Sequence, residues 1–520
     1  MRYESAIVGR FSVPLILGAV SLLAASPNAR LVDAVKNSDR ASARSLLDQH
    51  ADANTPGADG TTALHWAARW DDLETAQLLI RSGANAKAAN RYGATPLSLA
   101  CINGSAPMVE LLLKAGADPN TALPGGETAL MTAARTGKVD VVNLLLARGA
   151  DVNAKETEHG QTALMWAAAE GNTEVVDSLI EHGADIHARS RGGFTPLLFA
   201  VREGRSAVVR SLLKGGANVN ETLNGYKKRP KYVVNGAPHD TDVKTLISAD
   251  REVIGPSALV LAVANAHYEL AAALLDAGAD PNAAAQGWTA LHELTWVRKP
   301  GTGTNNPGPR GSGNMDSLEL VKRLVAHGAN VNARMTARGE AGYTEFNMIG
   351  ATPFLMAART ADAPLMRLLA QLGADPLMPN IDNTTPIAAA AGVGTKSPGE
   401  DPGTESEVLD AVKLAIELGG DVNAVDNNGE TPMHGAAYKT ATSTAQFLID
   451  NGAKIEIWSR PNKSGWTPLR ISEGVYLEGN LRGISPATAA VLRKAMTQAG
   501  ISTVLGSPTR SGPTRKSDLP

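Results

Sequence analysis

Apolar and polar positions along this 520-residue chain follow one recurring pattern. The stretch from Gly126, GETALMTAARTGKVDVVNLLLARGADVNAK, aligns residue for residue with the stretch from Gly160, GQTALMWAAAEGNTEVVDSLIEHGADIHAR. Each holds a short apolar run, a glycine, and a second run with apolar residues at helical spacing, as at Val141, Val142, Leu144 and Leu145. The threonine that opens each copy recurs at 62, 95, 128, 162, 195, 289, 352, 385, 431 and 467, with Ser257 in the same role. Most gaps cluster around 33, and the long gaps of 62, 63 and 46 mark insertions.

Each copy predicts two helices. Thr95-Pro96, Thr195-Pro196, Thr352-Pro353, Thr385-Pro386, Thr431-Pro432 and Thr467-Pro468 are helix starts. The hydroxyl accepts from an orphan backbone N–H, and proline suits the first helical turn. Gly104, Gly137, Gly171 and Gly204 end the first helix. The second ends at sites such as Gly149, where glycine permits a left-handed turn. Asp151 and Asn153 then suit the extended turn to the next copy.

These residues resemble the ankyrin repeat, with its G-x-T-P-L-H-x-A-A-x-x-G first half and V-V-x-x-L-L-x-x-G-A-D-V-N-A second half. Gly429 to Ala437, GETPMHGAA, shows the first half, and Gly373 to Asp375 the end of the second. The resemblance covers residues from about 31 to 475. It implies an all-α solenoid of about eleven antiparallel helix pairs joined by hairpin fingers. A single pair cannot bury its own apolar face, so copies must stack. Residues 30–54 read as a capping half-copy that carries only the second half of the signature. Repeats follow over 55–221 and 255–475. Residues 476–505 read as a C-terminal cap with a helix from Ser485-Pro486 to Gln498, and 506–520 as a disordered tail.

The insertions fall at 222–254, 301–317, 335–349 and 395–407. The second and fourth interrupt the turn between the two helices of a repeat, so they are expected on one edge. The first and third lie between repeats and are expected on the finger edge. Residues 301–317 have the composition of a flexible linker, while 222–254 is longer and holds tyrosine and apolar residues.

Composition narrows the picture. The chain is 43% hydrophobic with a net charge of −3, which gives no global argument for nucleic acid. One cysteine, Cys101, excludes an intramolecular disulfide framework and a cysteine-rich zinc module. Residues 1–29 read as a signal peptide. Phe11 to Ala25 is apolar throughout, too short for the roughly 20 residues of a spanning helix, with cleavage expected near Ala25 or Ala29. Export to a periplasmic or secreted location is the expectation, and an uncleaved membrane anchor the alternative.

Chemistry-bearing residues are few. Lys227, Lys228, Arg229 and Lys231 form the one basic cluster, and a solvated loop is the expected role. His65, His292 and His434 lie in different repeats, too far apart for a zinc site. The resemblance implies that they hydrogen-bond within the repeat turn. No nucleophile elbow, metalloprotease motif or phosphate-binding loop occurs. No catalytic residue, cofactor or metal is expected. An unidentified protein partner and a monomeric chain are. A membrane contact is expected only if the N-terminal segment stays uncleaved. The resemblance places partner-facing residues beside the finger glycine and at the end of each first helix. These are Phe194, Trp288 and Trp466, with Tyr92 beside its own glycine, and then Arg69, Trp70, Ile102, Arg135, Arg202, Trp296 and Tyr438. Trp66 and Trp166 read as core. The functional expectation is a non-enzymatic scaffold that binds a protein across its concave, finger-lined face. The alternatives are a membrane-tethered scaffold and an enzyme whose site is built from the finger-side insertions.

Overall fold

The computed structural model describes residues 27–224, 233–234, 237–238, 254–300, 309–337, 346–395, 402–477 and 480–503. The apolar N-terminal stretch, the basic cluster at Lys227, Lys228, Arg229 and Lys231, and the tail at 506–520 lie outside the described residues. The fold is an all-α ankyrin-type solenoid decorated by two short antiparallel hairpins, Val233–Val234 with Ala237–Pro238 and Val475–Leu477 with Asn480–Arg482. The chain divides into two compact units, Met1–Asp151 and Val152–Pro520.

In the first unit, first helices Pro27–Lys36, Ala63–Arg69, Pro96–Asn103 and Ala129–Thr136 pack on one another in sequence. Second helices Arg40–Asp48, Leu73–Arg81, Ala106–Lys114 and Val139–Ala147 form the other layer. The segment read as half a copy therefore forms both helices of a pair. It lacks the threonine-proline signature, but Leu31, Val32, Ala34 and Val35 supply a buried stripe that docks on the next repeat. The second unit repeats the arrangement from Ala163–Glu170 to Pro468–Glu473 and closes with Pro486–Gln498.

Capping follows the threonines. Thr95, Thr128, Thr162, Thr195, Ser257, Thr352 and Thr467 each accept from the backbone N–H three residues on. Repeats are tied along the other edge by asparagine amides. In the first unit Asn120 donates to the carbonyl of Gly149 at 2.9 Å and accepts from the amide of Asp151 at 2.7 Å. In the second, Asn332 makes the same pair of bonds to Gly373 and Asp375. Each amide thus satisfies a carbonyl left over at a helix end. Alanine-rich first helices approach closely. At Gly435 an added Cβ would lie 2.7 Å from the backbone nitrogen of Val393, so glycine is required by the approach of the neighbouring turn.

The insertions at 301–317, 335–349 and 395–407 are docked at their described residues. In the interhelix insertion, the Ser312 amide donates to Nδ1 of His267 at 3.2 Å, and the Asn314 amide donates to Glu269 at 2.7 Å. A Cβ on Gly311 would stand 2.0 Å from the carbonyl oxygen of Ala266, so the chain comes this close only as glycine. Residues 309–316 are therefore not the free linker their composition suggested. At the other end of this insertion Lys299 reaches forward to the carbonyl of Ala361 at 3.1 Å and to Glu407 at 2.7 Å. That pairing holds the Glu407 carboxyl down at about 2. Beside it, Arg298 grips Asp362 through two bonds of 2.7 and 3.1 Å, with only 1% of the aspartate side chain exposed. On the finger side, Met335, Phe346 and Met348 from the insertion at 335–349 are buried against Leu355, Met356 and Ala389.

Candidate protein-binding surface

The three signature histidines are structural. His65 faces Thr62 through Nδ1 and reaches the carbonyl of Ala94 in the next finger through Nε2, at 3.0 Å. His292 does the same to Thr289 and Ala351, and His434 to Thr431 and Trp466. The threonine amides donate to Nδ1, so Nε2 carries the proton and donates to the carbonyl. All three rings are buried. Burial pushes His65 down, and His292 and His434 down to about 4. Cys101 is buried as well and its thiol is pushed up to about 12, so it is inert as a nucleophile. Among the described residues no group of three His, Cys, Asp or Glu is placed to hold a metal ion, and no helix is long and apolar enough to cross a membrane. A 440 Å³ depression on the second-helix layer of the first unit contains Arg40 and Arg44. These are paired with Asp72 and Glu74, which leaves little charge for a ligand.

The expected partner-facing residues divide in the structure. In the second unit most are packed. Trp288 and Trp296 meet edge to face at 5.6 Å and lie against the Met335, Phe346 and Met348 cluster, and the Trp288 indole donates to Glu293 at 2.6 Å. They sit against the insertion rather than standing free, because the insertion supplies the apolar surface they cover. Tyr438 is 7% exposed, and its hydroxyl donates to Glu430 and accepts from Asn462. It belongs to the core with Ile471 and Val475, against which the half-buried Trp466 packs. Phe194 is half-buried against Phe199, with the Arg202 guanidinium 5.0 and 5.1 Å from the two rings. Trp166 joins that cluster.

The first unit differs. Trp70 is 48% exposed and Ile102 53%. Trp70 is nonetheless fixed: its indole donates to the carbonyl of Lys36 at 3.1 Å, and its ring stacks on half-buried Trp66 at 5.9 Å. The Lys36 ammonium lies 5.4 Å from the Trp66 ring and the Arg69 guanidinium 5.8 Å from the Trp70 ring. The Asn103 side chain donates to the carbonyls of Ala68 and Arg69, which ties the helix that holds Ile102 to the end of the helix before it. Arg135 is exposed and faces Glu127 at 3.5 Å. Tyr92 stands 67% exposed on its finger. Lys36 was missed in the sequence because its segment was assigned only a second helix. It lies 33 residues before Arg69, as Arg69 lies before Ile102 and Ile102 before Arg135, so the four occupy one position in successive first helices.

Comparison with known proteins agrees with this architecture. The family model described as Ankyrin repeats (3 copies) matches residues 31–123, 130–222 and 404–473. Ankyrin repeat and SOCS box protein 16 of Homo sapiens is 34% identical over 221 residues, which is 42% of this chain and 41% of that protein. An ankyrin repeat protein of Fowlpox virus (strain NVSL) is 46% identical over 48 residues, 9% of this chain and 11% of the viral protein. The chain thus spans well under half the length of either relative. Helix pairs and histidine turns stand where the resemblance placed them, and the chain carries the ankyrin repeats of that family.

Proposed function

We propose that this chain is a non-enzymatic scaffold that binds a partner protein through the first-helix face of its first unit. The observation that carries this reading is Trp70. A large aromatic side chain is held in one orientation by a hydrogen bond and a stacking partner, yet half of it meets solvent. Ordering a side chain costs entropy, and exposing apolar area forgoes its burial. Tryptophan and arginine are over-represented among residues that dominate interfaces, and both stand here side by side. Ankyrin repeats are a protein–protein interaction module, and the names of the relatives refer to such repeats.

The test is affinity capture of soluble proteins from the native extract with the intact chain and with Trp70→Ala. One partner should be lost at least tenfold in the variant while circular dichroism is unchanged. Equal capture by both proteins sinks the reading and moves attention to the packed aromatic clusters of the second unit. For location, we propose export, on the apolar stretch from Phe11 to Ala25. A mature mass that begins past Ala25 supports it, and an intact Met1 in the membrane fraction supports the tethered alternative.

A further inference from the structure

Asn-Gly steps stand in the sequence at 103, 224, 235, 428 and 451, and those at 103, 428 and 451 lie wholly within the described residues. An asparagine followed by glycine can lose its side-chain amide without an enzyme, because no side chain on the next residue obstructs the backbone nitrogen that attacks. In all three steps that nitrogen is held alike: Gly104 donates to the carbonyl of Cys101 at 3.2 Å, Gly429 to Asp426 at 3.0 Å and Gly452 to Ile449 at 3.1 Å. All three asparagines are exposed. Their side-chain amides separate them. Asn103 donates to the carbonyls of Ala68 and Arg69 at 3.0 and 2.8 Å, and Asn451 to the carbonyl of Phe447 at 2.8 Å. Asn428 makes no side-chain hydrogen bond among the described residues, so turning its Cγ toward the glycine nitrogen breaks none.

We infer that Asn428 is a site of spontaneous deamidation, and that its conversion loosens the finger on which it stands. The Gly429 nitrogen bonds to Asn428 Cγ and gives up its proton, the side-chain nitrogen leaves as ammonia, and a five-membered imide forms. Water then opens the imide at either carbonyl. The product is aspartate or, where the side-chain carbonyl keeps the link to Gly429, isoaspartate. One water is taken up and one ammonia released, and nothing is oxidised or reduced.

Ties to both neighbouring fingers surround this residue. The Asn428 carbonyl accepts from the Lys463 amide of the following finger at 2.8 Å. Toward the preceding finger, Asp426 accepts from the Thr384 hydroxyl at 3.0 Å, and the Asn427 amide donates to the carbonyl of Asp382 at 2.9 Å. Asp426 also accepts from the amides of Asn428 and Glu430 at 2.8 and 2.9 Å, which shapes the turn. In isoaspartate the main chain runs through Cβ, one bond of about 1.5 Å longer, and the old carbonyl becomes a free carboxylate. An N–H···O bond holds only to about 3.2 Å, so the tie to Lys463 has no room for that shift. Either product also sets a negative charge two residues from Asp426, whose carboxyl is already pushed up by burial and by nearby Asp382.

The experiment is peptide mapping by mass spectrometry of the full chain, held folded at mildly alkaline pH and sampled over days. The Asn428 peptide should gain one mass unit at least fivefold faster than the Asn103 and Asn451 peptides. In urea, where the bonds to Ala68, Arg69 and Phe447 are gone, the three rates should converge. Equal rates in the folded chain overturn the site, as does a slower Asn428 or a ranking that persists unchanged in urea. Amide hydrogen exchange on fresh and aged chain reads the loosening separately. After conversion, exchange at Lys463 should quicken at least tenfold in wild type. It should stay as in the fresh chain in Asn428→Gln, whose longer side chain closes an imide far more slowly. A converted wild type with unchanged exchange at Lys463 overturns the loosening, and so does an aged Asn428→Gln that quickens equally.

Discussion

Asp362→Ala should destabilise the second unit by about 3–5 kcal/mol, read as a lower midpoint in urea. The buried carboxylate takes both forks of the Arg298 guanidinium and caps its own helix by accepting from the Leu365 amide at 3.2 Å. Removing it leaves a mostly buried guanidinium that keeps the Ser317 hydroxyl but loses its counter-charge. An uncompensated buried charge is costly, whereas a pair replaced by apolar groups of similar size is often neutral. Asp362→Asn should therefore fall between wild type and alanine, because the amide still caps and still accepts from arginine. A loss below about 1 kcal/mol for alanine would mean that the ion pair and cap contribute little in this setting.

Acid should weaken the second unit well before its carboxylates titrate. His292 and His434 are buried neutral, with values near 4 against an ordinary 6.5. The sign follows from proton binding. Between those limits the unfolded chain takes up protons that the folded rings refuse, so stability is whole above pH 6.5 and falls as pH drops toward 4. Each ring approaches a slope of about 1.4 kcal/mol per pH unit below 6.5, so the two together cost about 3 kcal/mol between pH 6.5 and 5. The physical reason is visible in the turn: Nδ1 faces a threonine N–H, and a second proton there would set donor against donor. Glu221 and Asp426 act the other way, since burial pushes both carboxyls up and their protonation favours the folded state at lower pH. Urea midpoints at pH 7, 6 and 5 give the slope, and His434→Gln should remove about half of it. A flat profile over that range would show that the rings accept protons without loss of the turn.

The repeat and its caps could be read from the sequence because they are local. A threonine three residues before a histidine, or an asparagine one turn after a helix-ending glycine, makes its bonds within one copy or to the adjoining one. Legibility ended where contacts skip the pattern. Trp288 and Trp296 occupy positions that face outward in a bare repeat, and only Phe346 and Met348, from an insertion without helical period, turn them into packed residues. Tyr438 is buried because Glu430 and Asn462 from two different fingers satisfy its hydroxyl. Lys36 had no signature to announce it, since its helix begins without a threonine cap and is fixed by the stripe at Leu31 and Val35. The exposed row of the first unit was legible in three of its four members, because spacing alone predicts which residues end a first helix.

The insertion between the helices Ala290–Arg298 and Ser317–Ala326 has a further consequence. In a plain stack each repeat touches only its neighbours, so stability is a chain of nearest-neighbour links and a pulled end peels off one repeat at a time. Here Lys299 bonds Glu407 two repeats ahead, while Ser312 bonds His267 one repeat behind, and His267 in turn holds the carbonyl of Arg202 a repeat further back. Of these three links Lys299–Glu407 skips a repeat, and the other two each join neighbouring repeats. Under tension the Lys299–Glu407 pair ties the repeat opened by Thr289 to the one opened by Thr385, so the repeat between them cannot peel away before the pair breaks.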